Sequence, residues 1–231
     1  MITVRRSEER GSGHFDWLNS RHTFSFGSYY DTRFMGFSAL RVINDDEVVP
    51  GAGFPTHGHS DMEIISYVLE GEIAHRDSEG NIARLPAGEF QLMSAGRGIT
   101  HSEFNASVTA PLKFLQIWIQ PNVYGQTPGY QQKDFGENKG LTLVISPDGE
   151  AGSLTIKQDA RLYQLLLEGK ESVELPVASE RRAYIHVIEG ELHLGNHRLQ
   201  PGDGVAIEDE KDVLTLMANN SAVKALVFDL P

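Results

Sequence analysis

The sequence predicts an all-β protein made of two copies of one strand-rich unit, and three observations carry that reading. Apolar residues rarely recur at helical spacing. Instead, short β-rich runs such as Ile64-Ile65-Ser66-Tyr67-Val68-Leu69, Phe114-Leu115-Gln116-Ile117-Trp118-Ile119 and Leu141-Thr142-Leu143-Val144-Ile145 stand between Gly, Pro and Asp turns, the punctuation of a sandwich or barrel. Second, Val68-Leu69-Glu70-Gly71-Glu72-Ile73 is echoed by Val187-Ile188-Glu189-Gly190-Glu191-Leu192, each reading as strand, turn, strand. Third, residues 81–88 (NIARLPAG) are echoed at a similar distance by residues 196–203 (NHRLQPGD). Two matched elements in one order point to a duplicated barrel.

The linker between the copies is expected in residues 121–140, where Gly125, Pro128, Gly129 and Gly136 stand among glutamines and other polar residues as in a long surface connection. This gives an N-terminal domain over 1–125 and a C-terminal domain over 126–231. Two half-barrels packed within one chain would cover their edge strands and permit a monomer.

Composition narrows the chemistry. The chain has 231 residues and no cysteine, so disulfides, thiolate metal sites, iron–sulfur clusters and thiol catalysis are excluded, and any metal must be held by imidazole and oxygen. No apolar stretch has the length of a signal peptide or a membrane span, and the expected location is cytoplasmic. The net charge of −12 repels phosphate backbones and anionic lipid, so direct nucleic-acid or membrane binding is not expected. Arg5-Arg6 and Arg181-Arg182 are too short to make a basic patch.

The chemistry concentrates in two short pairs. His57 and His59 stand two residues apart, so on a strand both rings face the same side. His101-Ser102-Glu103 repeats that geometry on a later segment. Brought onto neighbouring strands, the pairs supply three nitrogens and one carboxylate oxygen and leave one or two positions open. Such a set suits iron(II), manganese, cobalt, nickel, copper or zinc better than calcium or magnesium. The remaining histidines, His14, His22, His75, His186, His193 and His197, read as surface or hydrogen-bonded residues.

These residues resemble the cupin superfamily. Its first motif is matched by Gly51, His57, His59 and Glu63, with Gly71 one residue later than usual, and its second in pieces by Gly80, Pro86, Gly88, His101 and Asn105. The gap between Gly88 and His101 is longer than in the general pattern. Together with residues 55–63 (PTHGHSDME), 69–80 (LEGEIAHRDSEG) and 95–103 (AGRGITHSE), it resembles the pirin family, as does the opening segment 15–26.

The resemblance implies a bicupin of two packed antiparallel, jelly-roll β-barrels with one divalent transition metal per chain, iron(II) being the first expectation. It makes Glu103 the fourth ligand, leaving Glu63 to orient an imidazole or a backbone group. Pro176 and Ala178 stand where the C-terminal copy would carry its first histidines, so that copy is expected to have lost the metal.

Bacterial pirins of this pattern are similar to quercetin 2,3-dioxygenase, which opens the central flavonol ring with O2 and releases carbon monoxide. A flavonol and O2 are therefore the expected partners, with Glu103 as ligand and catalytic base. Phe54, Ile65, Phe90, Met93 and Phe114 are candidates for an apolar wall, although plain core is the simpler use, and the aromatic residues of 15–26 read first as a strand packed on the barrel. The competing function is a metal-binding regulator of a protein partner. A sugar-phosphate isomerase would need arginines facing the metal, and only Arg97 is near in sequence.

Overall fold

The computed structural model describes residues 1–175, 177–178, 180–210 and 213–231. Pro176 lies outside the described residues. Strands dominate. In chain order they are β1 (Ile2–Arg5), β2 (Gly11–Phe15), β3 (Leu18–His22), β4 (Leu40–Val48), β5 (Gly53–His59), β6 (Glu63–Glu70), β7 (Glu72–Asp77), β8 (Ile82–Pro86), β9 (Glu89–Ser94), β10 (Ile99–Asn105), β11 (Leu112–Ile119) and β12 (Gly129–Asp134). There follow β13 (Gly140–Ser146), β14 (Leu154–Thr155), β15 (Arg161–Leu167), β16 (Ser172–Leu175), β17 (Arg182–Glu189), β18 (Leu192–Leu194), β19 (His197–Leu199), β20 (Gly204–Ile207), β21 (Leu214–Ala218) and β22 (Val223–Leu230).

The chain forms two compact units, one of Gly11–Phe135 with Ile156–Gln158, the other of Met1–Arg10, Gly136–Thr155 and Asp159–Pro231. Each is a jelly-roll sandwich of open sheets rather than a closed barrel. The first unit has a seven-stranded sheet, β12-β9-β6-β11-β4-β3-β2, and a four-stranded sheet, β5-β10-β7-β8. The second has β1-β20-β17-β22-β15-β13-β14 and β16-β21-β18-β19. Pairing is antiparallel except between β13 and β14.

The internal repeat is plain in this order, since β9-β6-β11-β4 corresponds to β20-β17-β22-β15 and β5-β10-β7-β8 to β16-β21-β18-β19. Gly71 and Gly190 close the equivalent hairpins at φ 83° and 76°, where a Cβ would run into the carbonyl of Pro111 or Ala222 respectively.

The units do not follow a single cut at 125/126. Strand β12, inside the stretch read as linker, hydrogen-bonds to the edge of β9, and β1 does the same for β20. β9 and β20 are thereby paired on both sides. Residues 156–158 belong to the first unit because Lys157 accepts from the Asn122 backbone at 2.8 Å and Gln158 donates to Gln120 O at 2.7 Å.

Strand parity decides what faces the sandwich interior. On β6, Ile64, Ser66 and Val68 point inward, and Val68 packs with Val48, Ile73, Leu85 and Phe114 across the two sheets. Glu63, Ile65 and Tyr67 take the opposite face, and Tyr67 stacks on Phe90 there at 4.0 Å. No helix is long and apolar enough to cross a membrane among the described residues.

Candidate metal centre

The His-x-His and His-x-Glu pairs converge as strand geometry requires. On the β5/β10 ladder His101 lies directly opposite His57, and the register shifts between His101 and Glu103, so that Glu103 pairs with Phe54. The extra residue of this bulge is on β5, where Phe54 and His57 stand three apart yet both line the cavity; β10 pairs with β7 without a shift, so His101 and Glu103 keep one face. The metal-binding atoms of His57, His59 and His101 all lie within 4.8 Å of one another. His59 Nε2 and His101 Nε2 are 3.1 Å apart, and Glu103 Oε2 is 4.0 Å from His101 Nε2.

These atoms fit a metal ion. Two nitrogens bound at about 2.1 Å and at right angles would be about 3.0 Å apart, close to the separation found. His57 Nδ1 donates to the Pro55 carbonyl at 2.8 Å, which leaves Nε2 as the ring's lone pair. Burial, reinforced by the neighbouring imidazoles, pushes His59 down to about 4 and His101 down to about 3, so both rings are neutral and ligand-competent at neutral pH.

Glu103 is held from the opposite sheet. Ser66 Oγ donates to Oε1 at 3.1 Å and Gln116 Nε2 donates to Oε2 at 2.9 Å. Glu63 lies elsewhere: facing away from the interior, it accepts from Ser94 Oγ at 2.8 Å and from the Lys157 backbone N–H at 3.2 Å. It orients a backbone group rather than an imidazole.

His75 is a neighbour the sequence did not single out. It is buried on β7 opposite Glu103, bonded to Asp77 at 3.0 Å, and forms with His101 and Glu103 a second group within 4.8 Å. The expectation of surface or hydrogen-bonded histidines fails at His186. It is buried with Nδ1 unpartnered, and burial pushes its pKa down to about 3.

His57, His59 and Glu103 open onto a cavity of about 450 Å³, within the usual size range of small-molecule sites. Trp17 meets Phe54 edge-on at 4.9 Å and Phe26 meets Trp118 edge-on at 5.4 Å, giving two aromatic pairs on its walls. Trp118 also packs edge-on against His59 at 5.0 Å. Of the five apolar wall candidates, only Phe54 lines the cavity; Ile65 and Phe90 face away, and Met93 and Phe114 are core. The β2–β3 hairpin, read first as packing, supplies Phe15 and Trp17 to the wall. No arginine or lysine lines the cavity among the described residues, so it lacks the cations a sugar phosphate would need.

Two jelly-roll sandwiches in one chain, one carrying a three-histidine, one-carboxylate cluster beside a cavity, define a bicupin. The chain belongs to the pirin family: the Pirin family model matches residues 3–119, and the model for the quercetinase C-terminal cupin domain matches residues 143–230. The chain is 50% identical to quercetin 2,3-dioxygenase of Escherichia coli (strain K12), covering 100% of this chain and 99% of that protein. It is 40% identical to a pirin-like protein of Caulobacter vibrioides over 98% of this chain and 99% of the relative. The crystal structure of the Escherichia coli bacterial pirin YhhW in complex with nickel(II) superposes with a TM-score of 0.96 at 49% identity, covering 100% of this chain and 99% of that one.

Proposed function

We propose that this chain is a metal-dependent dioxygenase that opens the flavonol quercetin with O2 and releases carbon monoxide. In this reading His57, His59, His101 and Glu103 hold one divalent transition metal, iron(II) first among the candidates, and the second cupin unit holds none. The observation that carries the proposal is that the cluster lines an aromatic-walled cavity with no arginine or lysine on its wall among the described residues. The name of the 50% identical relative supports the choice of substrate.

A bound divalent ion supplies Lewis acidity toward a phenolic oxygen and an electron path to O2. The rest falls to the chain. Glu103, held at both oxygens by Ser66 and Gln116, accepts the proton of the flavonol 3-hydroxyl. Trp17, Phe54 and Trp118 flank the flat ring and exclude water from it. The reading places the enzyme in the cytoplasm as a monomer, because every residue used comes from one unit of one cysteine-free chain.

The test is aerobic incubation of metal-loaded protein with quercetin, following flavonol absorbance together with carbon monoxide. Loss of absorbance with carbon monoxide release is expected. No consumption with iron, manganese, cobalt, nickel or copper would overturn the assignment and leave a metal-binding regulatory protein.

A further inference from the structure

A polar row crosses the inner face of the seven-stranded sheet in register. His22 on β3 pairs with Asn44 on β4, Asn44 with Gln116 on β11, Gln116 with Ser66 on β6, and Ser66 with Gln91 on β9. Residues paired across antiparallel strands project to the same face, so all five share one interior, and each is at most 8% exposed. One strand position along, Asp46 is buried to 3% exposure on the same face of β4.

The row has two ends with different partners. At one end Ser66 and Gln116 grip Glu103, and Gln91 Nε2 donates to Ser66 Oγ at 3.5 Å. At the other end Asn44 and Asp46 line the cavity together with Gln116. Here Asn44 Oδ1, Asp46 Oδ1 and Gln116 Oε1 have no hydrogen-bond partner. Buried acceptors left unpaired are costly, and three of them on one cavity wall point to donors that arrive with a ligand.

We propose that Asn44, Asp46 and the carbonyl end of Gln116 form a second subsite of the cavity. It accepts hydrogen bonds from ring hydroxyls remote from the metal-ligating hydroxyl and makes the protein select polyhydroxylated flavonols. This rests on the flavonol reading above. Asn44 lies one strand beyond Gln116, a step of about 4.8 Å, and Asp46 is about 7 Å further along its strand, a span that a hydroxylated ring bound at the metal can reach. Gln116 joins the subsite to the centre, since its Nε2 holds Glu103 while its Oε1 is left without a partner.

The chain carries its own reporter, because both of its tryptophans, Trp17 and Trp118, line the cavity. Iron(II)-loaded protein under nitrogen is titrated with quercetin and with 3-hydroxyflavone, which keeps the ligating hydroxyl and lacks the others, and absorbance-corrected tryptophan quenching gives each Kd. Wild type should bind quercetin at least about tenfold more tightly. Asn44→Leu and Asp46→Leu should each erase most of that preference, whereas Asp46→Asn, which keeps an acceptor, should retain it.

Equal affinities in wild type would overturn the proposal whether or not the leucine variants fold. So would an unchanged preference in a folded leucine variant. The two readings fail separately: quercetin preferred in binding but never consumed in air contradicts the dioxygenase, while turnover without hydroxyl preference contradicts only the subsite.

Discussion

Gln116 on the seven-stranded sheet donates to Glu103 on the four-stranded sheet at 2.9 Å, so the carboxyl beside the three histidines is aimed from the opposite wall of the sandwich. Gln116→Leu keeps the volume and removes the donor. Kcat for quercetin should fall about 10- to 100-fold, and stability by about 1–3 kcal/mol because Glu103 loses a buried partner. Stopped-flow turnover and urea unfolding on the same preparation check both; unchanged kcat would mean that Ser66 alone positions Glu103.

Asp46 makes stability depend on pH in an unusual direction. Burial raises its pKa to about 7, the Asp45 and Glu103 charges adding to the shift and the Ser20 hydroxyl opposing it. The folded chain therefore holds this proton where the unfolded chain has released it, and the residue subtracts stability as pH rises from about 4 to about 7. Asp46→Asn removes the effect. The variant should gain on wild type between about pH 5 and pH 8, by at most about 4 kcal/mol, read from urea midpoints. An equal difference at both pH values would contradict this.

Glycines at two positive-φ turns should respond differently to alanine. Gly71 has φ 83° with Pro111 O 2.8 Å from where its Cβ would sit, while Gly80 has φ 94° and nothing within 4 Å. Gly80→Ala carries backbone strain alone, about 1–2 kcal/mol; Gly71→Ala adds a backbone clash and should be worse by at least about 1 kcal/mol. Thermal melts of the two variants make the comparison.

Metal removal should lower Tm. An ion that binds only the folded chain adds about 2.7 kcal/mol at a hundredfold excess over Kd, several degrees for a chain of this size. Calorimetry before and after chelation reads the shift, and readdition should restore it. Retention of the strand signal in far-UV circular dichroism is expected, because the cluster sits beside the hydrophobic core and does not form it.

The convergence of His57, His59, His101 and Glu103 was legible because strand parity is local: residues two apart share a face whatever the partner strand. The duplicated hairpin was legible for a similar reason, through its glycine turns. The cavity wall was not, since Asn44, Gln116 and Trp118 meet only through the pairing of β4 with β11, and register is not written in either segment alone. The run Asn44-Asp45-Asp46-Glu47 is four polar residues in succession, yet it lies in a strand with Val42 and Val48 buried on either side. The alternation Val42, Asn44, Asp46, Val48 was the signal available. Residues 121–140 hid β12 because Gly129, Tyr130 and the glutamines carry little β pattern of their own; pairing with β9 supplies the structure.

The ligand set is tested most directly by elemental analysis of protein purified without added metal, comparing wild type with Glu103→Gln, His101→Ala and Glu63→Gln. Wild type and Glu63→Gln should carry close to one equivalent of a divalent transition metal, His101→Ala almost none, and Glu103→Gln clearly less than wild type. A full equivalent in His101→Ala, or loss in Glu63→Gln with Glu103→Gln unaffected, would contradict the centre described.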